Sequence, residues 1–102
     1  MAQYMDKSGM PITESKWNTL ITDKFYRVVA QEFNGYHFVS TIWTGVPSGP
    51  YGIYLFETVI FGPNESSWRT DKVIETIRYE TLDEAIVGHK EALKRSYEEV
   101  CA

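Results

Sequence analysis

The sequence predicts an α+β domain: a four-stranded antiparallel meander sheet with a C-terminal helix packed on one face, in the order β-β-β-β-α. Three observations predict it. Between Tyr36 and Gly62 lie two runs rich in aromatic and β-branched residues, the composition of strands, joined by a Gly- and Pro-rich segment. A third such run, Lys24 to Phe33, leads into them through Asn34-Gly35, the dipeptide of a tight hairpin. From Thr81 onward the apolar period changes from that of a strand to that of a helix.

Taken in order, residues 1–12 are polar and interrupted by Gly9 and Pro11, so they are expected as a loosely held arm, with 13–102 forming one domain. From Thr13 a short amphipathic turn is possible, because Trp17, Leu20 and Ile21 share a helical face behind a capping Thr. Lys24 to Phe33 is expected as the first strand. A two-residue type I′ turn at Asn34-Gly35 sets the register, opposing Phe33 to Tyr36, Glu32 to His37, Ala30 to Val39 and Val28 to Thr41. The Val46 to Gly52 segment is expected as a loop, Ile53 to Phe61 as the third strand, and Lys72 to Glu80, being less apolar, as a fourth strand at a sheet edge. Thr81 caps the helix, with Asp83 and Glu84 in its first turn. Leu82, Ala85, Ile86, His89, Leu93, Tyr97 and Val100 form one stripe along it.

Neither face of the hairpin strands is plainly polar, so the sheet must be covered twice. One helix is about 10 Å wide, whereas four strands at ~4.8 Å spacing are nearly twice as broad. The Trp17 segment takes part of the remainder, and a second copy of the chain, forming a homodimer, is the economical cover for the opposite face.

Composition narrows the function classes. With 102 residues the chain fits one core without metal or disulfide support, and 15% aromatic residues are more than so small a core encloses, so some should line a partner surface or pocket. A net charge of −4 builds in no attraction to nucleic acid or to an anionic membrane. The single cysteine, Cys101, cannot form an internal disulfide, which fits a reducing cytoplasm. No run approaches the ~18 apolar residues of a membrane span, and no signal for export or anchoring is read at the N-terminus. Without a secretion signal, the Asn64-Glu65-Ser66 sequon is not expected to carry glycan.

Four short motifs carry a resemblance: VSTIWTG at Val39 to Gly45, FETVIF at Phe56 to Phe61, RYETLDEA at Arg78 to Ala85, and Gly88-His89. In order and spacing, from about Trp17 to Leu93, they resemble a widespread family of small tailed-phage proteins of unassigned function. The chain departs from the family pattern between Val46 and Gly52, where it is shorter and has fewer glycines. The resemblance implies a phage or prophage product acting in the cytoplasm of a bacterial host cell. Small phage proteins without an enzyme motif are often inhibitors or decoys aimed at host defence, so the implied partners are a host protein or a small signalling ligand.

The residues themselves offer isolated candidates and no complete catalytic, metal or nucleotide motif. His37 is expected opposite Glu32, a pairing that could orient an imidazole as a base but that has no nucleophile beside it and otherwise reads as a cross-strand polar pair. Glu57 stands among apolar neighbours in a central strand and needs a partner, for which Arg27, Arg78 and His89 are available; otherwise it serves a ligand. His89 lies on the helix stripe beside Gly88, whose missing side chain permits close approach to the sheet. Trp43, Tyr51 and Tyr54 flank the Gly/Pro segment and could stack on a nucleotide-like ligand.

Two histidines without nearby cysteine ligands make no metal site, and no cofactor is expected. The expected binding set is therefore Thr41, Trp43, Tyr51, Tyr54, Glu57 and His89. The leading expectation is a non-catalytic binding protein, an anti-defence inhibitor or a sponge for a nucleotide-like signal. The alternative is a small enzyme using Glu57 with His89 or His37 as acid and base in a cavity between sheet and helix.

Overall fold

Alternation along the strands sorts their side chains into two sets, and in the computed structural model each set forms one face of a single four-stranded sheet. The structure describes residues 3–63 and 70–101, the side chains of 98–101 excepted. The chain runs β1 (Tyr4–Met5), β2 (Pro11–Ile12), α1 (Glu14–Ile21), α2 (Lys24–Arg27), β3 (Val28–Phe33), β4 (Phe38–Ser48), β5 (Tyr54–Gly62), β6 (Lys72–Tyr79) and α3 (Leu82–Cys101). The sheet is an antiparallel meander in the order β3-β4-β5-β6, and α3 contacts all four of its strands. The expected α+β architecture is thus the observed one. The Asn64-Glu65-Ser66 sequon, most of the polar loop before β6, and the side chains of Val100 and Cys101 lie outside the described residues.

The α3 face carries Val39, Thr41 and Trp43 from β4 and Phe56, Thr58 and Ile60 from β5, all buried, and Ala85, His89 and Ala92 of α3 are buried against it. The helix starts as its sequence predicts. Thr81 accepts from the Glu84 amide (3.2 Å) and its hydroxyl donates to the Glu84 carboxylate (3.0 Å), closing the first turn. No helix among the described residues is long and apolar enough to cross a membrane.

The structure corrects the sequence reading at four places. Lys24–Arg27 is a helical turn and not strand, because the Asp23 carboxylate caps it, accepting from the Phe25 amide at 3.0 Å. The β3–β4 connection has four residues. Asn34 does not take the positive φ that a type I′ turn needs, and of the connection only Gly35 does, at 92°. The Asn34 side-chain oxygen instead accepts from the amides of Tyr36 (3.1 Å) and His37 (2.7 Å), and its amide nitrogen donates to Ser96 Oγ (2.8 Å). This Asx turn moves the register by two residues, so Glu32 opposes Val39 and Ala30 opposes Thr41, with a bulge at Val29 that sets Val28 opposite Ile42.

Third, β4 continues through Gly45, Val46 and Pro47 to Ser48, shrinking the expected loop to a turn held by Gly52 N–H to Gly49 O (3.1 Å) and Ile53 N–H to Ser48 O (3.1 Å). Gly45, at φ 72°, lies where any side chain would enter the Trp43 and Trp17 rings. Fourth, residues 3–12 pair as a hairpin against the domain. Tyr4 stacks on Trp17 at 4.7 Å, the Trp43 indole donates to Met5 O at 3.1 Å, and the Lys7 amide donates to the Tyr26 hydroxyl at 2.9 Å. Those apolar and indole contacts tether the segment that composition alone marks as polar.

Candidate functional site

Three buried polar residues, His89 of α3 and Thr41 and Thr58 of the sheet beneath it, sit where an apolar layer would pack without penalty, and each has a partner. His89 projects from the buried stripe of α3, and its Nδ1 lies 2.7 Å from Thr41 Oγ1 on β4. Thr41 Oγ1 meets Thr58 Oγ1 across the β4–β5 pair at 2.5 Å. The Tyr79 phenol on β6 lies close enough to Thr58 for that hydroxyl to act on its ionisation, lowering it. On the other side, His89 Nε2 lies 3.1 Å from a carboxylate oxygen of Glu32 on β3, a residue half open to solvent. The hydrogen-bonded chain Glu32–His89–Thr41–Thr58 therefore runs across β3, β4 and β5, and Tyr79 on β6 adjoins its end.

Proton bookkeeping orients the chain. An ionised Glu32 accepts, so His89 Nε2 carries a hydrogen, and in the neutral ring Nδ1 must accept from Thr41. Each hydroxyl has one proton: with the ring neutral, Thr41 gives its own to His89 and Thr58 gives its own to Thr41. Both hydroxyls point the same way. A protonated ring, donating from Nδ1, reverses both and frees the Thr58 proton for the phenol. An unpaired buried hydroxyl costs about 1–3 kcal/mol, so the core is stable with these polar groups only while the chain is unbroken.

The tyrosine end is accessible. Tyr79 lines a groove of about 500 Å³ between β6 and α3, with Glu75, Gly88, Glu91, Lys94 and Arg95 around it. Gly88 is what lets the phenol in, because a Cβ there would overlap the Tyr79 ring and hydroxyl. Burial lifts the Tyr79 phenol above its ordinary value, with Glu91 and Glu75 adding to the effect and Thr58 and Arg95 opposing it. Arg95 is itself paired with Glu75 at 3.2 Å. The phenol thus keeps its proton at neutral pH and presents its hydroxyl to the groove.

The expected binding set divides. Thr41 and His89 meet in this chain. Trp43 is buried, edge-on to Tyr26 at 4.9 Å, and has no access to ligand. Tyr51 stands in the turn, 84% exposed, while Tyr54 packs over Gly49, so the aromatic clamp around the Gly/Pro segment is not assembled. Glu57, in register with Ile42 and Arg78, is on the face away from α3, and among the described residues it makes no hydrogen bond or ion pair, neither to Arg27, Arg78 nor His89. The acid–base pair of Glu57 with His89 is split by the sheet.

His37 is buried beside the Tyr36 ring at the β3–β4 connection, away from Glu32, because the longer turn carries it past the expected pairing. Glu32 was singled out by sequence reasoning as the partner of the wrong histidine, and Thr58 and Tyr79 were not singled out, although Thr58, Tyr79 and Thr41 each sit in one of the motifs quoted above and Gly88-His89 is the fourth. Among the described residues no three His, Cys, Asp or Glu side chains are placed to hold a metal ion. No protein-family model, curated protein or solved structure matches the chain.

Proposed function

We propose that the protein is a non-catalytic binding protein of phage origin that acts in the host cell, as an anti-defence inhibitor or as a sponge for a nucleotide-like signal, and that the groove at Tyr79 is where it holds its ligand or partner. The observation that carries the reading is the accessible Tyr79 phenol, which burial keeps protonated beside the groove at the end of the buried polar chain from Glu32 to Thr58. An acid–base mechanism built on Glu57 would need that carboxylate beside the phenol. Thr41 and Thr58 are sealed from solvent, and Glu57 is on the other face.

Phage origin and a target in host defence rest on the resemblance of the four motifs. The direct test is native mass spectrometry of the protein and of Tyr79→Phe, each purified from infected cells. The reading expects a bound mass, small molecule or protein, on the wild type and its loss from a folded Tyr79→Phe. Bare protein in both preparations, or an unchanged complement on Tyr79→Phe, would contradict it.

A further inference from the structure

The sheet face away from α3 has an ordered composition of its own. Its strands align in three rows across the sheet: Phe33, Phe38, Phe61 and Val73 form the first, and Gln31, Ser40, Val59 and Thr76 the second. Val28, Ile42, Glu57 and Arg78 form the third. Phe38 and Phe61 lie together at 6.1 Å, yet Phe33 at 59% and Val73 at 56% are open to solvent on either side of them. In the third row Glu57 and Arg78 are directly opposed and still form no ion pair within the chain.

From this arrangement we infer that the face is the interface of a homodimer, in which two copies pack sheet against sheet about a two-fold axis running along the strands. Such an axis lays each row on its own counterpart. Aromatic row meets aromatic row, and the third rows, laid on each other in reverse order, set Glu57 and Arg78 over Ile42 and Val28 of the second copy with their two carboxylates and two guanidiniums balanced in sum. Four strands at ~4.8 Å spacing and about eight residues at ~3.3 Å give roughly 500 Å² per copy, and the ~1,000 Å² total meets the lower limit of a specific interface. A face covered by an unrelated protein has no reason to be balanced against itself. This inference concerns the opposite side of the sheet from the Tyr79 groove and stands apart from the function proposed for that groove.

The test is sedimentation velocity on the full chain at low micromolar concentration, with circular dichroism to establish folding. The wild type should sediment at twice the chain mass, and Tyr79→Phe should sediment with it. Phe61→Glu should be monomeric. Arg78→Glu, which leaves four carboxylates in the charged rows, should weaken association at least tenfold, and Glu57→Arg combined with Arg78→Glu should restore it.

A monomeric wild type would overturn the inference, as would a dimer that Phe61→Glu and Arg78→Glu leave intact, or a folded double variant that stays monomeric. Should the single variants not fold, isotope-filtered NMR on a mixture of labelled and unlabelled wild type decides. Contacts between Val73 methyls and aromatic rings of the other copy support the interface, and a dimer without them refutes it.

Discussion

Gly88 and Tyr79 show at the scale of single residues how closely the site depends on shape. Alanine in place of a mid-helix glycine ordinarily stabilises by about 1 kcal/mol through backbone entropy. Here the added methyl must displace the Tyr79 phenol from its place beside Thr58. Overpacking of that kind costs ~1–3 kcal/mol, so Gly88→Ala should lower stability in urea unfolding despite its better helix propensity. The companion double variant, Gly88→Ala with Tyr79→Phe, should recover little, because the ring is still in the way.

Tyr79 also predicts a pH dependence. Its folded-state value is raised, burial being the first cause, so the folded protein holds the proton after the unfolded chain has begun to lose it. The stabilisation is fully present below the ordinary tyrosine value of about 10 and is lost as pH rises through the folded value. An ultraviolet tyrosinate titration of the wild type minus that of Tyr79→Phe should show one phenol that ionises later than an ordinary tyrosine. A difference curve with an ordinary midpoint would mean the phenol is not held as described.

Among the elements, the β3–β4 connection has the clearest cause. Asn34 closes it with two amide donors on one side-chain oxygen and ties it to Ser96 of α3. Asn34→Ala should therefore cost ~1–2 kcal/mol in chemical denaturation, more than a solvent-exposed turn residue would. Asn34→Asp, which keeps the acceptor for the two amides, should cost less; equal losses would place the stabilisation elsewhere.

The sequence made this hairpin visible and misplaced its register. Asn-Gly satisfies the rule for a two-residue turn, and nothing local reveals that the Asn side chain is engaged 62 residues away. Lys24–Arg27 misleads in the same manner, since Phe25 and Tyr26 have strand propensity while a single carboxylate at Asp23 starts a helical turn. The four long strands and α3 were legible because each has a period, of two or of 3.6, sustained over several residues.

For the whole molecule, one sheet has two faces that do different things. Thr41 and His89 were recognisable one at a time as polar residues in apolar settings, and Gly88 as a point of close approach. Their connection was not recognisable, because Glu32 and His89 are 57 residues apart and meet only once the register is shifted by two. Tyr79 looked like one more aromatic of an edge strand, and the groove that exposes it exists only after α3 is laid across β6. Glu57 drew attention by standing in an apolar run, but the run alternates and its odd member faces away from the core.

The central claim is the one-way chain of hydrogen bonds from Thr58 to Glu32, and the nitrogen-15 spectrum of the His89 imidazole tests it most directly. With the ring neutral, the account predicts a hydrogen on Nε2, facing Glu32, and an acceptor resonance for Nδ1, facing Thr41. It also predicts that Thr58→Val, which removes the link, perturbs the Tyr79 ring and His89 resonances together while Glu57→Gln perturbs neither. A neutral ring protonated on Nδ1, or a Thr58→Val change felt at one end only, would contradict it.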